Sequence, residues 1–410
     1  MFAERTTQRD VRRRNRTVVM SRLYFGGPTS RRELSAATGL SSGAVTGLVG
    51  ELLEEGIVEE TGSVSSDGGR PRVIVQVATG RRLVAGVDIG EDRIRVGLFT
   101  LGLELVEQHS EFLASDELVP QIVVRRVHDV LAALLEKHGV AWDRVLGVGI
   151  GMLGIVEQGR SAIVHVPTVG WHAVPIEAML REQIPVPVFI DNGARVLGQV
   201  EMWFGAGRGA RSAAVVLYGT GIGAALVTQA GVSVEPGFAT EWGHTILMVD
   251  GRPCRCGSRG CLEAYVGAAT LVERYQEVAP DRVPPGTNIE RAFTILMADV
   301  DSSELAYRLV ASAAHRLGAS LGGMLNALRP ERILVGGYAG ALLGREMLPI
   351  IRESAAATAL APWAVDVDVQ LCSFGADGVM TGAATQPIGR WLEIGAPVHD
   401  LRELGSAHTG

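Results

Sequence analysis

The stretch Glu241–Glu263, EWGHTILMVDGRPCRCGSRGCLE, decides how the rest of the chain is read. Three of the chain's four cysteines fall within eight residues there, as Cys254, Cys256 and Cys261, and His244 lies ten residues before the first. Three thiolates and one imidazole complete a tetrahedral zinc shell; no position is left for water, so the metal would be structural. The plainer readings are a zinc knuckle with no further role or, in an oxidising compartment, a disulfide pair. Folding the loop around a metal brings the flanking carboxylates of Glu241 and Glu263 towards one place. There they can accept hydrogen bonds from the hydroxyls of a small polar ligand.

Outward from this loop, 410 residues with 47% hydrophobic and 20% charged side chains predict a soluble globular chain of two or three units. The N-terminus MFAERTTQRDVRRRNR lacks the apolar core of a signal peptide, and no apolar run approaches the ~18 residues of a membrane span, so a cytoplasmic protein with no membrane partner is expected. That compartment suits thiols used for metal, and it leaves Cys372 as a buried free thiol. Net charge is −7, yet residues 1–50 hold nine arginines against Glu4, Asp10 and Glu33. A basic head on an acidic body points to a polyanion that meets only the head.

Within that head, Val11, Val18, Val19, Leu23 and Tyr24 recur at helical spacing from Asp10 to Phe25, and Gly26-Gly27-Pro28 ends the run. Ser30 caps a second helix, Arg31–Thr38, in which Ala36 and Ala37 are small enough for close packing; Ser41 caps a third from Ser42 to about Glu55. The opening turns of the third helix are slim and polar, with Ser41, Ser42 and Thr46 placed to enter a major groove. Strands at Ile57–Thr61 and Val73–Val77 flank a hairpin whose tip carries Arg70 and Arg72. Arg31 and Arg32 at a helix start suit the DNA backbone, and arginines on a Gly-rich tip suit phosphate or the minor groove. The plainer alternative is a small helical domain for protein contacts.

Beyond about residue 80 a unit recurs. Strands Leu83–Asp88, Ile94–Thr100 and Leu103–His109 surround Gly90, while Ala213–Tyr218, Ala224–Gln229 and a strand near Val232 surround Gly219–Gly223. With helices expected at Leu118–His138, Ala194–Phe204, Glu304–Leu328 and Gly344–Thr358, this duplication predicts a two-lobed α/β body with a cleft between the lobes.

The double motif ExGH followed by CxCGxxGCxE resembles the signature of the ROK family, which groups sugar-responsive bacterial repressors with sugar kinases. The resemblance runs from the N-terminal segment to GADGVMTGAA at Gly375–Ala384. It implies a winged helix-turn-helix (1–80), a two-lobed actin-like, hexokinase-type body with a structural zinc (81–395) and a C-terminal tail (396–410). In ROK kinases the two glycine turns hold ATP phosphates and a DND-type motif supplies the base for the sugar hydroxyl. Here the second turn, with Gly219, Thr220, Gly221 and Gly223, is intact, but the first reads Asp88-Ile89-Gly90-Glu91-Asp92 where the family has DIGGT. Anion would face anion. A bulky Tyr338 follows Gly336-Gly337 at the nucleotide end, and the position of the catalytic carboxylate is Gly193. Asp191, two residues away at a strand end, is expected to point elsewhere. By the same resemblance Asn192, Glu241, His244 and Glu263 would contact sugar hydroxyls, with Thr168 in place of the usual Asn.

These readings predict a sugar-responsive repressor that binds operator DNA as a homodimer or higher homo-oligomer and does not phosphorylate its sugar. The alternatives are a sugar kinase carrying a DNA-binding head, and a scaffold with no small ligand.

Overall fold

The computed structural model describes residues 7–397 apart from 67–68, 231–232, 236–238, 362 and 364–367. In the head, α1 (Gln8–Gly26) starts from a capping box in which Thr7 and Asp10 satisfy each other's backbone amides. Ser30 and Glu33 begin α2 (Arg31–Thr38) in the same way, and Gly39, at φ 71°, ends it in the left-handed conformation. The Ser41 hydroxyl caps α3 (Ser42–Glu54) by accepting from the Ala44 amide at 3.3 Å. The strands β1 (Thr29–Ser30), β2 (Val58–Ser66) and β3 (Gly69–Val77) form an antiparallel sheet in the order β1-β3-β2. The hairpin is longer than its β-rich runs suggest, since pairing continues past Gly62 to Ser66 opposite Gly69. Ala36 and Ala37 are exposed, against expectation; an eight-residue helix buries one narrow stripe, and here Leu34 fills it.

The first lobe is a sheet in the order β11-β7-β4-β5-β6, from β4 (Leu83–Ile89), β5 (Arg93–Thr100), β6 (Leu105–Phe112), β7 (Val145–Met152) and β11 (Val188–Asn192). It carries α4 (Pro120–Lys137), α5 (Ile176–Arg181) and a small sheet of β8 (Ile155–Glu157), β9 (Ile163–Val166) and β10 (Trp171–Val174). Strand β6 starts later than Leu103 because Leu103 occupies a tight turn at φ 61°, its amide bonded back to Thr100.

The second lobe repeats the plan in the order β14-β13-β12-β16-β17, with β15 (Ala239–Thr240) also on β13. Its strands are β12 (Ser212–Tyr218), β13 (Ile222–Ala230), β14 (Ser233–Glu235), β16 (Arg332–Gly336) and β17 (Val369–Leu371). Val232 itself lies outside the described residues. Its helices are α6 (Gly193–Phe204), α7 (Glu263–Val266), α8 (Ala268–Val278), α9 (Ile289–Ala298), α10 (Glu304–Leu328) and α11 (Gly337–Thr358), and the last helix, α12 (Gly378–Glu393), returns to the sheet of the first lobe. The start of α11 is seven residues earlier than Gly344. Its first turns look like a loop in sequence because they are glycine-rich, but the glycine at 337 serves packing: a Cβ there would overlap the Tyr218 carbonyl.

Helix α12 crosses the back of β4 and β7, where a Cβ on Gly86 or Gly149 would strike its backbone, and it meets α6 so closely that Gly382 lies on the Val196 carbonyl. Head and body share one core: Val19, Met20, Leu23 and Leu34 belong with Trp203, Ile388, Trp391 and Leu392 to a single buried cluster. Ala396, assigned by sequence to the tail, is fully buried there, and Arg16 donates to the carbonyls of Gly395 and Ala396 at 2.5 and 3.0 Å. No helix among the described residues is long and apolar enough to cross a membrane.

Candidate ligand cleft and metal cluster

His244 ends a short helical turn, Trp242–His244, and turns Nδ1 to within 3.6 Å of Cys254 Sγ, while Cys256 and Cys261 Sγ lie 3.8 Å apart. One ligand atom from each of the four lies within 4.8 Å of every other. The knuckle is closed by bridges between Ile246 and Cys261 and between Pro253 and Arg259, and it needs Gly257 and Gly260 at φ 88° and 78°. Burial pushes the Cys254 thiol up to about 12 and raises Cys261 as well. A divalent cation among the sulfurs reverses that preference by stabilising thiolate, so this set of three sulfur donors and one nitrogen fits zinc.

The other ring nitrogen of His244 lies 3.8 Å from Glu241 Oε2, facing a cleft of about 270 Å3 between the lobes. That is near the lower end of small-ligand pockets, ~300–1,000 Å3, and leaves room for one small polar molecule. Thr168, Asn192, Glu241, His244 and Glu263 all line it. Glu263 begins α7, is 5% exposed, and accepts from the Ile222 amide at 3.1 Å and from Arg255 at 3.1 Å. Asn192 caps α6 by accepting from the Ala194 amide at 2.8 Å and donates to the Gly154 carbonyl at 2.8 Å, leaving one hydrogen and one lone pair for a ligand. Burial raises the Glu241 carboxyl above its usual range, and the charge of Glu263 adds to this.

The other end of the cleft differs. Gly193 is the first residue of α6 and lines the cleft with no side chain, while Asp191 pairs with Arg195 at 3.0 Å. Between β4 and β5, burial pushes Asp88 up to about 6 against the opposing charges of Arg95 and Arg93, and burial raises Asp92 too. Gly219, Thr220, Gly221 and Gly223 line the cleft between β12 and β13. The Tyr338 hydroxyl is 3.2 Å from Thr220 Oγ1, and its ring lies over Gly219.

In the head, Arg32, Ser41, Ser42, Thr46 and Arg72 are exposed. Arg31 pairs with Glu60 at 3.0 Å and Arg72 approaches Glu33 at 4.0 Å. The side chain of Arg70 lies outside the described residues.

Sequence reasoning missed the cations of the cleft. Arg255, between two cysteines, donates to Glu91 at 2.6 Å and to Glu263; burial lowers its pKa, but Glu91 and then Glu263 more than offset that, so it stays charged. Arg93 and Arg95 reach Glu290 at the start of α9 at 2.5 and 3.1 Å. An arginine set directly between two cysteines of a loop flanked by acids was the available signal for the first; nothing local marked the second.

The chain is 26% identical over 347 residues to the xylose repressor of Caldicellulosiruptor bescii, covering 83% of this chain and 86% of that one. It is 29% identical over 322 residues to a glucokinase of Halalkalibacterium halodurans, covering 76% and 94%. A solved ROK family transcriptional regulator, a homologue of the Escherichia coli MLC protein, superposes with a TM-score of 0.75 over 97% of this chain and 99% of that one at 21% identity, so the fold extends through the head. The family model for ROK matches residues 84–386, and the chain belongs to the ROK family.

Proposed function

We propose that the chain is a sugar-responsive transcriptional repressor: a winged helix-turn-helix head that binds operator DNA, on a body that binds a sugar without phosphorylating it. One contrast carries this reading. The polar groups suited to sugar hydroxyls line one end of the cleft, whereas the position of the base is Gly193 and the phosphate end holds Glu91, Asp92 and the Tyr338 ring. Loss of a positioned general base costs roughly 10²–10⁴-fold in rate, and carboxylates facing a triphosphate compound it. His244, Cys254, Cys256 and Cys261 would hold a structural zinc, which supplies rigidity to the loop bearing Glu241 and Glu263 and takes part in no reaction.

Ligand and head are joined by two helices. Helix α6 starts at the cleft and ends at Trp203 and Phe204, which pack on Tyr24 and Phe25 of α1, Phe25 lying 5.0 Å from Trp203 between ring centroids. Helix α12 starts beside Val379 in the cleft and ends where the Glu393 carbonyl accepts from Thr17 at 3.1 Å. Because their backbones touch at Gly382, a shift of either rod on ligand binding moves α1 and resets the spacing of two heads in a homodimer. The rival reading, a kinase with a DNA-binding head, has the glucokinase relative in its favour.

The test is a coupled ATPase assay across hexoses, pentoses and N-acetyl sugars beside calorimetry on the same panel. Binding without turnover is expected; turnover at ordinary kinase rates of ~1–100 s⁻¹ overturns the repressor reading. For the head, Arg31→Ala, Arg32→Ala and Arg70→Ala should weaken binding to all DNA sequences and reduce the salt slope by about 1 each, whereas Thr46 substitutions change which sequence is preferred.

A further inference from the structure

Arg255 joins four pieces of the body through one guanidinium. It sits on the metal loop of the second lobe, and one of its amino groups donates across the cleft to Glu91, on the β4–β5 turn of the first lobe, at 2.6 Å. The other donates at 3.1 Å to Oε1 of Glu263, whose Oε2 accepts from the Ile222 amide just after the β12–β13 turn at 3.1 Å. A chain of contacts therefore runs from one glycine turn to the other: Glu91, Arg255, Glu263, Ile222. Glu91 and Glu263 are largely shielded, with side chains 20% and 7% exposed, so the links are less screened than an ordinary surface pair.

We propose that Arg255 is a positioning residue of the sugar site, which aims the ligand-facing carboxylate of Glu263 and, through Glu91, clamps the first lobe onto the second. This rests on reading the cleft as a sugar site. It explains why an acidic residue stands at position 91: the carboxylate there is the far anchor of the clamp. It also gives the cleft a link between its two turns made by the protein's own ion pairs, with no nucleotide required. On the other face of the cleft Arg93 and Arg95 pair with Glu290, a second crossing that does not touch Glu263. Cutting the first crossing should loosen only its own side. Because a neutral sugar brings no charge of its own, any salt dependence of its binding reports the ion pairs that close around it.

The experiment uses the full chain with metal content measured, as wild type, Glu91→Gln, Arg255→Gln, the double variant and Glu290→Gln. Hydrogen exchange on ligand-free protein reads the clamp directly: Glu91→Gln and Arg255→Gln should each speed exchange several-fold in both 89–93 and 252–263. Glu290→Gln should leave 252–263 unchanged. Calorimetry with whichever neutral sugar of the panel binds wild type should show affinity lowered roughly five- to tenfold in each single variant, with no further loss in the double, and a salt dependence present in wild type and absent from the variants. Unchanged exchange in Glu91→Gln, or losses that add in the double variant at full metal content, overturn the clamp. If wild type binds no sugar, the sugar-site reading fails, while the exchange arm still decides whether the lobes are tied through Arg255.

Discussion

The turn between β4 and β5 and the turn between β12 and β13 hold equivalent places in the two lobes, each joining the first strand of its sheet to an antiparallel neighbour, yet their residues have diverged. The first carries Gly90, Glu91 and Asp92; the second carries Gly219, Thr220 and Gly221. By family resemblance both are phosphate turns, so the intact second one would argue for a bound nucleotide. The packing gives it another explanation. A Cβ on Gly221 would overlap the Glu263 carboxylate and crowd Arg255, whereas a Cβ on Gly223 would meet nothing within 4 Å. Glycine at 221 thus leaves room for the Glu263 carboxylate whether or not phosphate ever enters. In the first turn a Cβ on Gly90 would meet only the Arg93 carbonyl oxygen, at 3.5 Å, and Glu91 there reaches Arg255.

The largest effect should come from removing what holds Glu263 against the second turn. Cys256→Ala takes one of four ligands from the metal cluster, and loss of a structural metal belongs to the small class of changes that cost more than ~4 kcal/mol. Metal analysis should fall from about one zinc per chain to none, with a lower melting temperature and no sugar binding. Reduced, freshly purified wild-type protein without zinc would remove the basis for this expectation. Next comes the turn itself: Gly221→Ala should displace Glu263 at a cost of ~1–3 kcal/mol in ligand affinity, while Gly223→Ala, with open space around it, should be silent in the same calorimetry. Equal losses at both glycines would mean that the turn is kept for something other than Glu263.

The duplication and the metal loop were legible because each rests on local spacing: a strand, a glycine turn and a strand, or Cys-x-Cys and a later Cys, survive any arrangement of the rest. The positions of the flanking carboxylates were legible for the same reason, since the clustering of His244 and Cys261 brings Glu241 and Glu263 to one cleft. What escaped depends on contacts between distant segments. Glu91 meets Arg255 164 positions away, and Arg95 meets Glu290 across 195. Nothing around Glu91 announces a partner in the cysteine loop, so an acidic pair in the first turn read only as a phosphate blocker. The start of α11 was missed for a different reason: its glycines suit close packing on β12, yet in sequence they look like a break.

A smaller, pH-dependent effect separates the turns further. Asp88, two residues before the glycine of the first turn, has its pKa pushed up to about 6 by burial; the residue two before the glycine of the second turn is the apolar Leu217. Below pH ~4 the carboxyl is protonated both folded and unfolded, and the shift contributes nothing. As pH rises from ~4 to about 6 the unfolded chain releases its proton before the folded one, so stability falls, and the penalty is complete above about 6. Asp88→Asn should therefore stabilise ligand-free protein at pH 7.5 by up to ~2 kcal/mol and change little at pH 4, as read by thermal or urea unfolding at the two values. A gain that is equal at both would place its origin elsewhere than in this ionisation.

The smallest effect concerns Tyr338, and its smallness is the point. The ring lies over Gly219 with its hydroxyl 3.2 Å from Thr220, so it fills space at the second turn, but the charge that opposes a triphosphate comes from Glu91 and Asp92 at the first. Removing bulk without removing charge leaves anion facing anion, and Tyr338→Ala alone should give no ATP-induced thermal shift. Combining it with Glu91→Gly and Asp92→Thr opens space, removes both carboxylates and frees one arm of Arg255 from Glu91, and a measurable shift should appear. Even then turnover should stay absent, because Gly193 still offers no carboxylate and Asp191 remains paired with Arg195. Adding Gly193→Asp would test that last element, though a Cβ there meets Leu217 at 3.1 Å and must push it aside. ATP binding by Tyr338→Ala on its own would show that bulk at the second turn, and not charge at the first, keeps nucleotide out.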